Sequence, residues 1–295
     1  MALSRKVKTA LAVTALLLVL SAIWLGISIY RSATELTVVR YEIPTNVTQP
    51  IRIVQLSDLH SDVYGEENAD LIALVEDQAP DLIFLTGDML NRNGTAADVE
   101  PLCGLITALT QIAPVYWADG NHERTFMRAT GVALHEQLAQ AGAVVLDDSY
   151  VDVTVNGQAL RVGGYYGYYG APHMITGDPR EEAAQTAFFR EFEDTQRLKL
   201  LLCHIPTAWA DWGYIDKYPV DVIFAGHYHG GQIRLALVGG LYAPYVGLFP
   251  EYTRGMFEGS MGVCILSAGL GSEPGIPRVN NLPELVVADL IPREK

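Results

Sequence analysis

Five of the seven histidines in this chain come directly after apolar, strand-like runs, and this arrangement is the strongest constraint on its fold. Each of the five stands near Gly, Asp, Asn or Pro, which are residues that end strands and form turns. In open α/β sheets, ligand sites lie at the carboxyl ends of the strands. The pattern therefore predicts one site where several strands end, and its five imidazoles are those of His60, His122, His204, His227 and His229.

The segment Gly226–Gln232, with the sequence GHYHGGQ, illustrates this arrangement. Its two imidazoles are separated by one residue, so they leave the preceding strand-like run on the same side. Glycines on both sides permit a tight turn and the close approach of a substrate. Asp58 and His60 follow the run Ile51–Ser57 with the same spacing. Both pairs are therefore spaced to serve one metal cluster.

Oxygen donors accompany these imidazoles. Asp88 follows the run Leu82–Thr86, and Asn121 follows the run Val115–Ala118. Any one of these residues has an ordinary structural interpretation, such as a capping Asp, a turn Asn or a hydrogen-bonded buried His. The complete set is a mixture of nitrogen and oxygen donors, which hard and borderline metals bind. We therefore interpret the set as a metal site.

Strand-like and helix-like segments alternate in the first half of the chain, and strand-like runs dominate the second half. This order predicts an α/β fold with two packed sheets flanked by helices. Asn156-Gly157 predicts a hairpin turn between two short strands. The predicted helices are Ala69–Gln78, Val99–Thr110 with interruptions at Pro101 and Gly104, Gly131–Ala141 and Glu181–Gln196. The other predicted strands are an edge strand within Leu36–Gln49, then Val151–Val155, Ala159–Gly163, Lys199–Cys203, Val220–Ala225, Ile233–Leu237, Val263–Ser267 and Leu285–Leu290.

The N-terminal segment differs from the rest of the chain. Thr9–Tyr30 contains no charged residue and is long enough to cross a bilayer as a helix. Three basic residues precede it and only Arg31 follows closely, so the positive-inside rule places the N-terminus in the cytoplasm. A cleavable signal peptide is the alternative, because Gly26 and Ser28 form one small-x-small site. The length of the run favours an uncleaved anchor in the cell membrane, with a single pass and an extracytoplasmic domain.

The acidic composition excludes one class of partner. The net charge is −14, whereas nucleic-acid binding needs surfaces rich in Lys and Arg. We therefore expect no nucleic acid as the main partner. The three cysteines, in apolar surroundings, do not indicate a disulfide framework.

The ordered motifs DLH, GD, GNHE, CHIP and GHYHGGQ resemble those of the calcineurin-like metallophosphoesterases, and most of all their bacterial membrane-anchored branch, which typically carries GHTHGGQ. The resemblance extends from about residue 50 to the C-terminus and includes Asn280–Glu284 (NNLPE). It implies a four-layer αββα sandwich of two mixed sheets, here preceded by one transmembrane helix. We expect residues 1–35 to form a cytoplasmic stub and anchor, and residues 36–295 to form the metallophosphoesterase domain.

The resemblance also implies a role for each site residue. Asp88 would bridge two divalent metal ions, and His122 would be the catalytic imidazole. No thiolate is present, which favours Mn, Fe or Zn. The first ion would be held by Asp58, His60 and His229, and the second by Asn121, His204 and His227.

Two positions depart from the family pattern. Asn91 stands where a second Asp often occurs, so it keeps a hydrogen-bonding group and loses a charge. Glu123 ends the third motif where Asp is usual. If the Glu123 carboxylate orients His122, the geometry must adjust to one additional methylene. Neither change removes an implied metal ligand.

The expected function is hydrolysis of a phosphodiester, pyrophosphate or phosphomonoester bond by a metal-bridging hydroxide. The tether to a membrane favours a lipid-linked or envelope substrate. Two aromatic clusters are candidates for walls of the substrate site: Tyr165, Tyr166, Tyr168 and Tyr169, and Trp209, Trp212 and Tyr214. The alternative is a catalytically inactive scaffold of the same fold that binds a partner.

Overall fold

Two six-stranded sheets form the centre of the protein. The computed structural model describes residues 4–166, 187–244, 246–272 and 275–293, and the fold is described for those residues. The two sheets lie face to face with helices on their outer faces. This confirms the four-layer α/β sandwich.

The first sheet is mixed. Its neighbouring strands are parallel except for the antiparallel pair in which the C-terminal strand lies beside the first central strand. The lead-in segment supplies the edge strand, as expected. In spatial order the strands are β1 (Thr37–Thr45), β16 (Glu284–Pro292), β2 (Ile51–Leu56), β3 (Leu82–Leu85), β4 (Val115–Trp117) and β5 (Val144–Val145).

The second sheet is also mixed. Its two outer pairs are antiparallel and its central strands are parallel. Asn156 and Gly157 form the predicted hairpin turn between the last two strands of the spatial order. That order is β14 (Gly255–Glu258), β15 (Val263–Leu266), β9 (Val222–Ala225), β8 (Leu198–Leu202), β7 (Gln158–Gly164) and β6 (Ser149–Val155).

Two short hairpins follow β9. The first consists of β10 (Arg234–Leu235) and β11 (Gly239–Gly240), and the second of β12 (Tyr242–Ala243) and β13 (Gly247–Leu248). The predicted strand Ile233–Leu237 is thus reduced to two residues. Neither hairpin belongs to a large sheet.

Helices cover the outer faces of the sheets. Those of the first sheet are α2 (Ala69–Glu76), α3 (Val99–Thr110), α4 (Asn121–Thr130) and α5 (Leu134–Gln140). Those of the second sheet are α6 (residues 187–193) and α7 (Thr207–Ala210). Short 3₁₀ turns occur at Glu66–Asn68, Ala96–Asp98, Tyr214–Asp216 and His229–Gly231.

The core between the sheets is apolar and closely packed. The Phe84 ring on β3 meets the Phe224 ring on β9 edge to face, with 5.0 Å between ring centroids, and the Tyr116 ring at 5.8 Å. Phe84 and Phe224 are fully buried. This layer holds the carboxyl ends of β3 and β9 in a fixed relation, which positions the site described below.

Two helix predictions need correction. The predicted helix Gly131–Ala141 is wrong at its start, because Gly131 takes a left-handed conformation (φ +69°) that ends α4, and α5 begins only at Leu134.

The helix α4 itself was not predicted. The expected interruptions of α3 are absent, since Pro101 lies in the first turn, where its missing N–H costs nothing. The predicted helix Glu181–Gln196 is described only from residue 187 and is helical to residue 193.

The N-terminal helix α1 (Arg5–Thr34) is long and apolar enough to cross a membrane. Only its last two turns dock on the domain. The backbone N–H of Asn280 donates to Ser28 Oγ at 2.6 Å, and that of Asn281 donates to Ser32 Oγ at 3.2 Å. The apolar side chains of the rest of α1 are exposed. The division into an anchor (1–35) and a domain (36–295) stays a prediction.

Candidate metal centre

The structure brings all eight predicted site residues to one end of the sandwich. They follow the carboxyl ends of five strands, three in the first sheet and two in the second. All except Asn121 are buried. Among the described residues, the donor atoms of three groups lie within 4.8 Å of one another: Asp58, His60 and His229; His60, Asp88 and His122; and Asp88, His204 and His227.

Asp88 lies between two clusters of imidazoles. On one side, His60 Nε2 and His229 Nε2 are 3.2 Å apart, and His229 Nε2 is 3.5 Å from Asp58 Oδ1. On the other side, His204 Nε2 is 3.0 Å from Asp88 Oδ2. Asp88 belongs to groups that contain His60 and His204, so its carboxylate is within reach of two neighbouring cation positions.

His122 is held at the edge of these clusters. Its Nδ1 accepts the backbone N–H of Arg92 at 3.1 Å, so the proton of the neutral ring is on Nε2. That Nε2 is 3.9 Å from Asp88 Oδ2. The geometry alone permits His122 to act as a ligand or as a proton donor.

The backbone of the site is strained. Five of the donor residues have positive φ angles, a region that residues with a Cβ avoid at a cost of roughly 1–2 kcal/mol each. Such strain concentrates at functional sites, where the surrounding structure supports it. The residues are Asp58 (φ +52°), His60 (+52°), Asp88 (+51°), His227 (+72°) and His229 (+47°).

Asp58 joins the two sheets. Its carboxylate oxygens accept the backbone N–H of His227 at 3.0 and 3.1 Å and the hydroxyl of Ser57 at 2.6 Å. A Cβ at Gly226 would collide with Asp58 Oδ2 and Ser57 Oγ. The glycine before His227 is therefore needed because a carboxylate from the other sheet occupies the space of its side chain.

Burial and mutual charge set the protonation states of the donors. Burial raises the pKa of Asp58 to about 6 and lowers the pKa of His60 and His227 to about 3. Burial alone would raise the pKa of Asp88, but the adjacent His204 overcomes this effect and holds it well below its usual range. Burial would lower the pKa of His204, yet the carboxylates of Asp88 and Asp58 raise it to about 10.

The donor set fits metal ions. The buried Asn121 Oδ1 has no hydrogen-bond partner among the described residues, although unpaired buried polar atoms are costly. His204 Nδ1 lies 2.8 Å from the carbonyl oxygen of Thr86, and donation to that oxygen leaves Nε2 to face Asp88. Such an outer hydrogen bond selects the ligating nitrogen of a histidine. Nitrogen and oxygen donors suit Mn, Fe or Zn.

The two departures from the family pattern have separate structural roles. The Glu123 carboxylate accepts the backbone N–H groups of Gly120 and Asp88, each at 2.8 Å, and that of Leu90 at 3.0 Å. These bonds use both carboxylate oxygens to tie together two site loops, so the longer side chain acts on the loops. Asn91 Nδ2 donates to the carbonyl oxygen of His60.

Two residues near His229 had no predicted role in the site. Asn281 Nδ2 donates to the carbonyl oxygens of His229 at 2.7 Å and Gln232 at 3.2 Å, so it fixes this loop. Arg278 is buried, with its Nη2 at 2.6 Å from the carbonyl oxygen of Ala268 and 3.4 Å from His229 Nδ1. The NNLPE segment signalled Asn281, whereas a single arginine carries no comparable sequence signal.

One member of each aromatic cluster, Tyr165 or Trp209, does not form the predicted substrate wall. Tyr165 and Trp209 are 6% and 1% exposed and pack in the outer core of the second sheet. Tyr168 and Tyr169 lie outside the described residues. A cleft of about 390 Å³ opens at the site instead, and its walls beyond the donor residues include Arg92, Tyr228, Gln232, Tyr242, Pro244 and Ile276.

Comparison with known proteins gives consistent matches. The family described as calcineurin-like phosphoesterase matches residues 51–231. Phosphodiesterase YaeI of Escherichia coli strain K12 is 28% identical over 245 residues, which are 82% of this chain and 83% of that protein. Metallophosphoesterase YkuE of Bacillus subtilis strain 168 is 27% identical over 243 residues, 81% of this chain and 78% of that protein. The solved structure of a dimetal phosphatase from Danio rerio covers 74% of this chain and 87% of its own, with a TM-score of 0.44 and 12% identity.

The close contact between Gly120 and Asp88 generates a prediction. A Cβ at Gly120 would lie 2.5 Å from the Asp88 backbone nitrogen and would collide with its carboxylate. We expect Gly120→Ala to displace Asp88 and to weaken metal binding by about 10–100-fold, as changes around a metal ligand do. Isothermal titration calorimetry with the metal ion measures this change in affinity.

Gly104→Ala is the matched control. A Cβ at Gly104, inside α3, meets no atom within 4 Å, so alanine should leave metal binding intact and stabilise the fold by roughly 0.5–1 kcal/mol. Equal metal affinity in Gly120→Ala and the unmodified protein would contradict the role given to Asp88.

Proposed function

Because this chain belongs to the calcineurin-like phosphoesterase family of metal-dependent phosphoesterases, we propose that it hydrolyses a phosphodiester or pyrophosphate bond with two divalent metal ions. The observation that supports this proposal most directly is the position of Asp88 between two imidazole clusters. A shared anionic ligand of this kind is what a pair of cations about 3.5–4 Å apart requires.

We assign the donors as the family resemblance implies. Asp58, His60 and His229 would hold one ion, and Asn121, His204 and His227 would hold the other. Asp88 would be shared by both. When bound, the two ions supply a water nucleophile at neutral pH and neutralise charge on the phosphate oxygens. The protein supplies a buried, pre-formed donor set in which burial lowers the pKa of His60 and His227, and the adjacent His204 holds the pKa of Asp88 well below its usual range.

His122 is the proposed proton donor to the leaving oxygen. Its Nδ1 accepts the backbone N–H of Arg92, which leaves Nε2 and its proton facing Asp88, the residue between the two imidazole clusters. A positioned general acid of this kind typically contributes about 10²–10⁴-fold to the rate. Arg92 also lines the cleft, and its side chain would supply a positive charge for the phosphate.

Two substitutions separate metal binding from proton donation. Asp88→Asn should lose metal and activity together, because the shared charge disappears. His122→Ala should retain about two metal ions per chain and lose about 10²–10⁴-fold in turnover. The loss should be larger for an alkyl phosphodiester than for a nitrophenyl diester, because the alkoxide needs the proton more. Metal analysis and hydrolysis of both esters measure these effects.

Loss of metal in His122→Ala would show that His122 is a ligand. A stoichiometry of one with Mn, Fe and Zn all supplied would contradict the dinuclear site. Bound metal without hydrolysis of either ester would favour the inactive scaffold.

We further propose that the substrate is linked to a lipid. Besides the donor residues, the cleft is lined by Tyr242, Pro244 and Ile276, which we call its apolar side. The helix α1 would tether this cleft to a bilayer and raise the local concentration of lipid-linked molecules. A phosphate group would then meet the metal centre while the adjoining chain contacts the apolar side.

The ring of Tyr242 tests the lipid-linked substrate. It is exposed at the cleft, so its removal should not disturb the core. We expect Tyr242→Ala to raise KM for a long-chain phosphodiester and to leave a short soluble diester unchanged, while Tyr242→Phe keeps the ring and resembles the unmodified protein. Equal effects on both esters would exclude a lipid-contacting role for this wall.

The proposed location is a single-pass membrane protein with its domain outside the cytoplasm. The basic residues before the apolar run support this orientation. Protease added to intact spheroplasts should digest the domain and spare a cytoplasmic marker, whereas permeabilised cells should lose both. Protection of the domain in intact spheroplasts would reverse the orientation.

A further inference from the structure

The two short hairpins after β9 carry an unusual surface. Their exposed apolar side chains form what we call the hairpin face, defined by Leu235, Leu237, Val238, Leu248 and Phe249. Leu237 is 99% exposed. No Asp or Glu occurs between Gly231 and Pro250, although the chain contains 34 acidic residues. The hairpin face is therefore suited to contact an apolar surface. Because it carries no acidic residue, it can also approach an anionic surface, which the acidic remainder of the protein would repel.

The root of the hairpin face adjoins α1. The side-chain Nδ2 of Asn280 donates to the carbonyl oxygen of Arg234, the first residue of β10, at 3.2 Å. The backbone N–H of the same Asn280 donates to Ser28 Oγ in α1. One residue thus connects the membrane-spanning candidate to the hairpins.

The length of α1 determines how far from the bilayer centre the contact between Ser28 and Asn280 lies. The segment Thr9–Ile27 is about 28 Å long at ~1.5 Å per residue, close to the hydrocarbon thickness of a bilayer. Ser28 is the first residue after it, so the domain begins where the hydrocarbon ends. A cavity of about 420 Å³ lies between α1 and the domain, and Trp24, Arg31 and Arg254 are in its walls. Trp and Arg are residue types of the membrane–water interface.

We propose that the hairpin face is a bilayer-docking surface that enters the leaflet from which α1 emerges. Its occupant is the phospholipid of that leaflet. The anchor and the face then make two attachments, which together fix the orientation of the domain relative to the bilayer. The inference rests on the membrane anchor of the proposed function.

Docking in this orientation would place the cleft at the headgroup layer. Tyr242 begins the second hairpin and Pro244 lies in the turn between its two strands, and both line the cleft with the donor residues. A molecule embedded in the leaflet could present its phosphate to the site without leaving the bilayer. The hairpin face would therefore act in substrate access and have no part in the chemical step.

Site-specific quenching tests the docking surface. The full-length chain with Cys103→Ser receives one new thiol, either Leu237→Cys or Met261→Cys, and each variant is labelled with an environment-sensitive fluorophore. The remaining Cys203 and Cys264 are buried. Met261 is also apolar and exposed, but it precedes β15 at the opposite end of the second sheet. Both proteins are reconstituted into phosphatidylcholine–phosphatidylglycerol vesicles with spin-labelled lipid.

We expect a blue shift and loss of fluorescence at position 237 and neither effect at position 261. Exposure of both positions to water would overturn the docking surface. A blue shift at 237 without quenching by lipid would overturn it in favour of contact with a second protein copy. Vesicle flotation is measured in parallel: a chain that does not float refutes the anchor, whereas a floating chain with an unquenched position 237 refutes the face alone.

A charge substitution provides the functional readout. Leu237→Asp combined with Val238→Asp should reduce hydrolysis of a long-chain phosphodiester in vesicles and leave a soluble nitrophenyl diester unchanged. Met261→Asp is the matched control and should leave both activities unchanged. Unaltered hydrolysis in vesicles by the double variant would overturn the role in substrate access.

Discussion

The structure depends on the close approach of the two sheets at Asp58, where the carboxyl ends of their strands meet. This carboxylate follows a strand of the first sheet and accepts the backbone N–H of His227, which follows a strand of the second. Just below it, Gln55 Nε2 donates to Thr86 Oγ1 and to the carbonyl oxygen of Ala225, each at 2.9 Å, and so links the sheets again. The donor residues come together because these bonds and the apolar layer beneath them hold the carboxyl ends of the strands of the two sheets close to each other.

This arrangement is costly for the fold. Buried carboxylates and imidazoles lose their hydration, and an unbalanced buried charge is destabilising. Several donors also hold left-handed backbone conformations. The apolar layers on both sides of each sheet offset these costs, and divalent cations would reduce them further. Binding of metal and stability of the site loops are therefore coupled.

The Asn280–Asn281 pair connects the anchor with the site. Ser32 of α1 accepts the backbone N–H of Asn281, and the side chain of Asn281 holds the carbonyl oxygens of the His229 loop. Two hydrogen bonds, both made by Asn281, thus link the N-terminal helix to the donor residue His229. A helix that is docked in this way orients the domain as well as restraining its position.

The sequence by itself determined the two-sheet α/β architecture and the residues that meet at the strand ends. Periodicity and turn residues predict where a strand ends, and the side chains that follow it are then fixed in position. Only the tertiary structure decided the roles of Glu123, Asn91 and Arg278, and the burial of Tyr165 and Trp209. The helix α4 was also missed, because its first turn carries the third motif and resembles a loop. The physical reason is that the partner of a carboxylate or a ring depends on the distance between strands remote in sequence, which the packing of the two sheets sets.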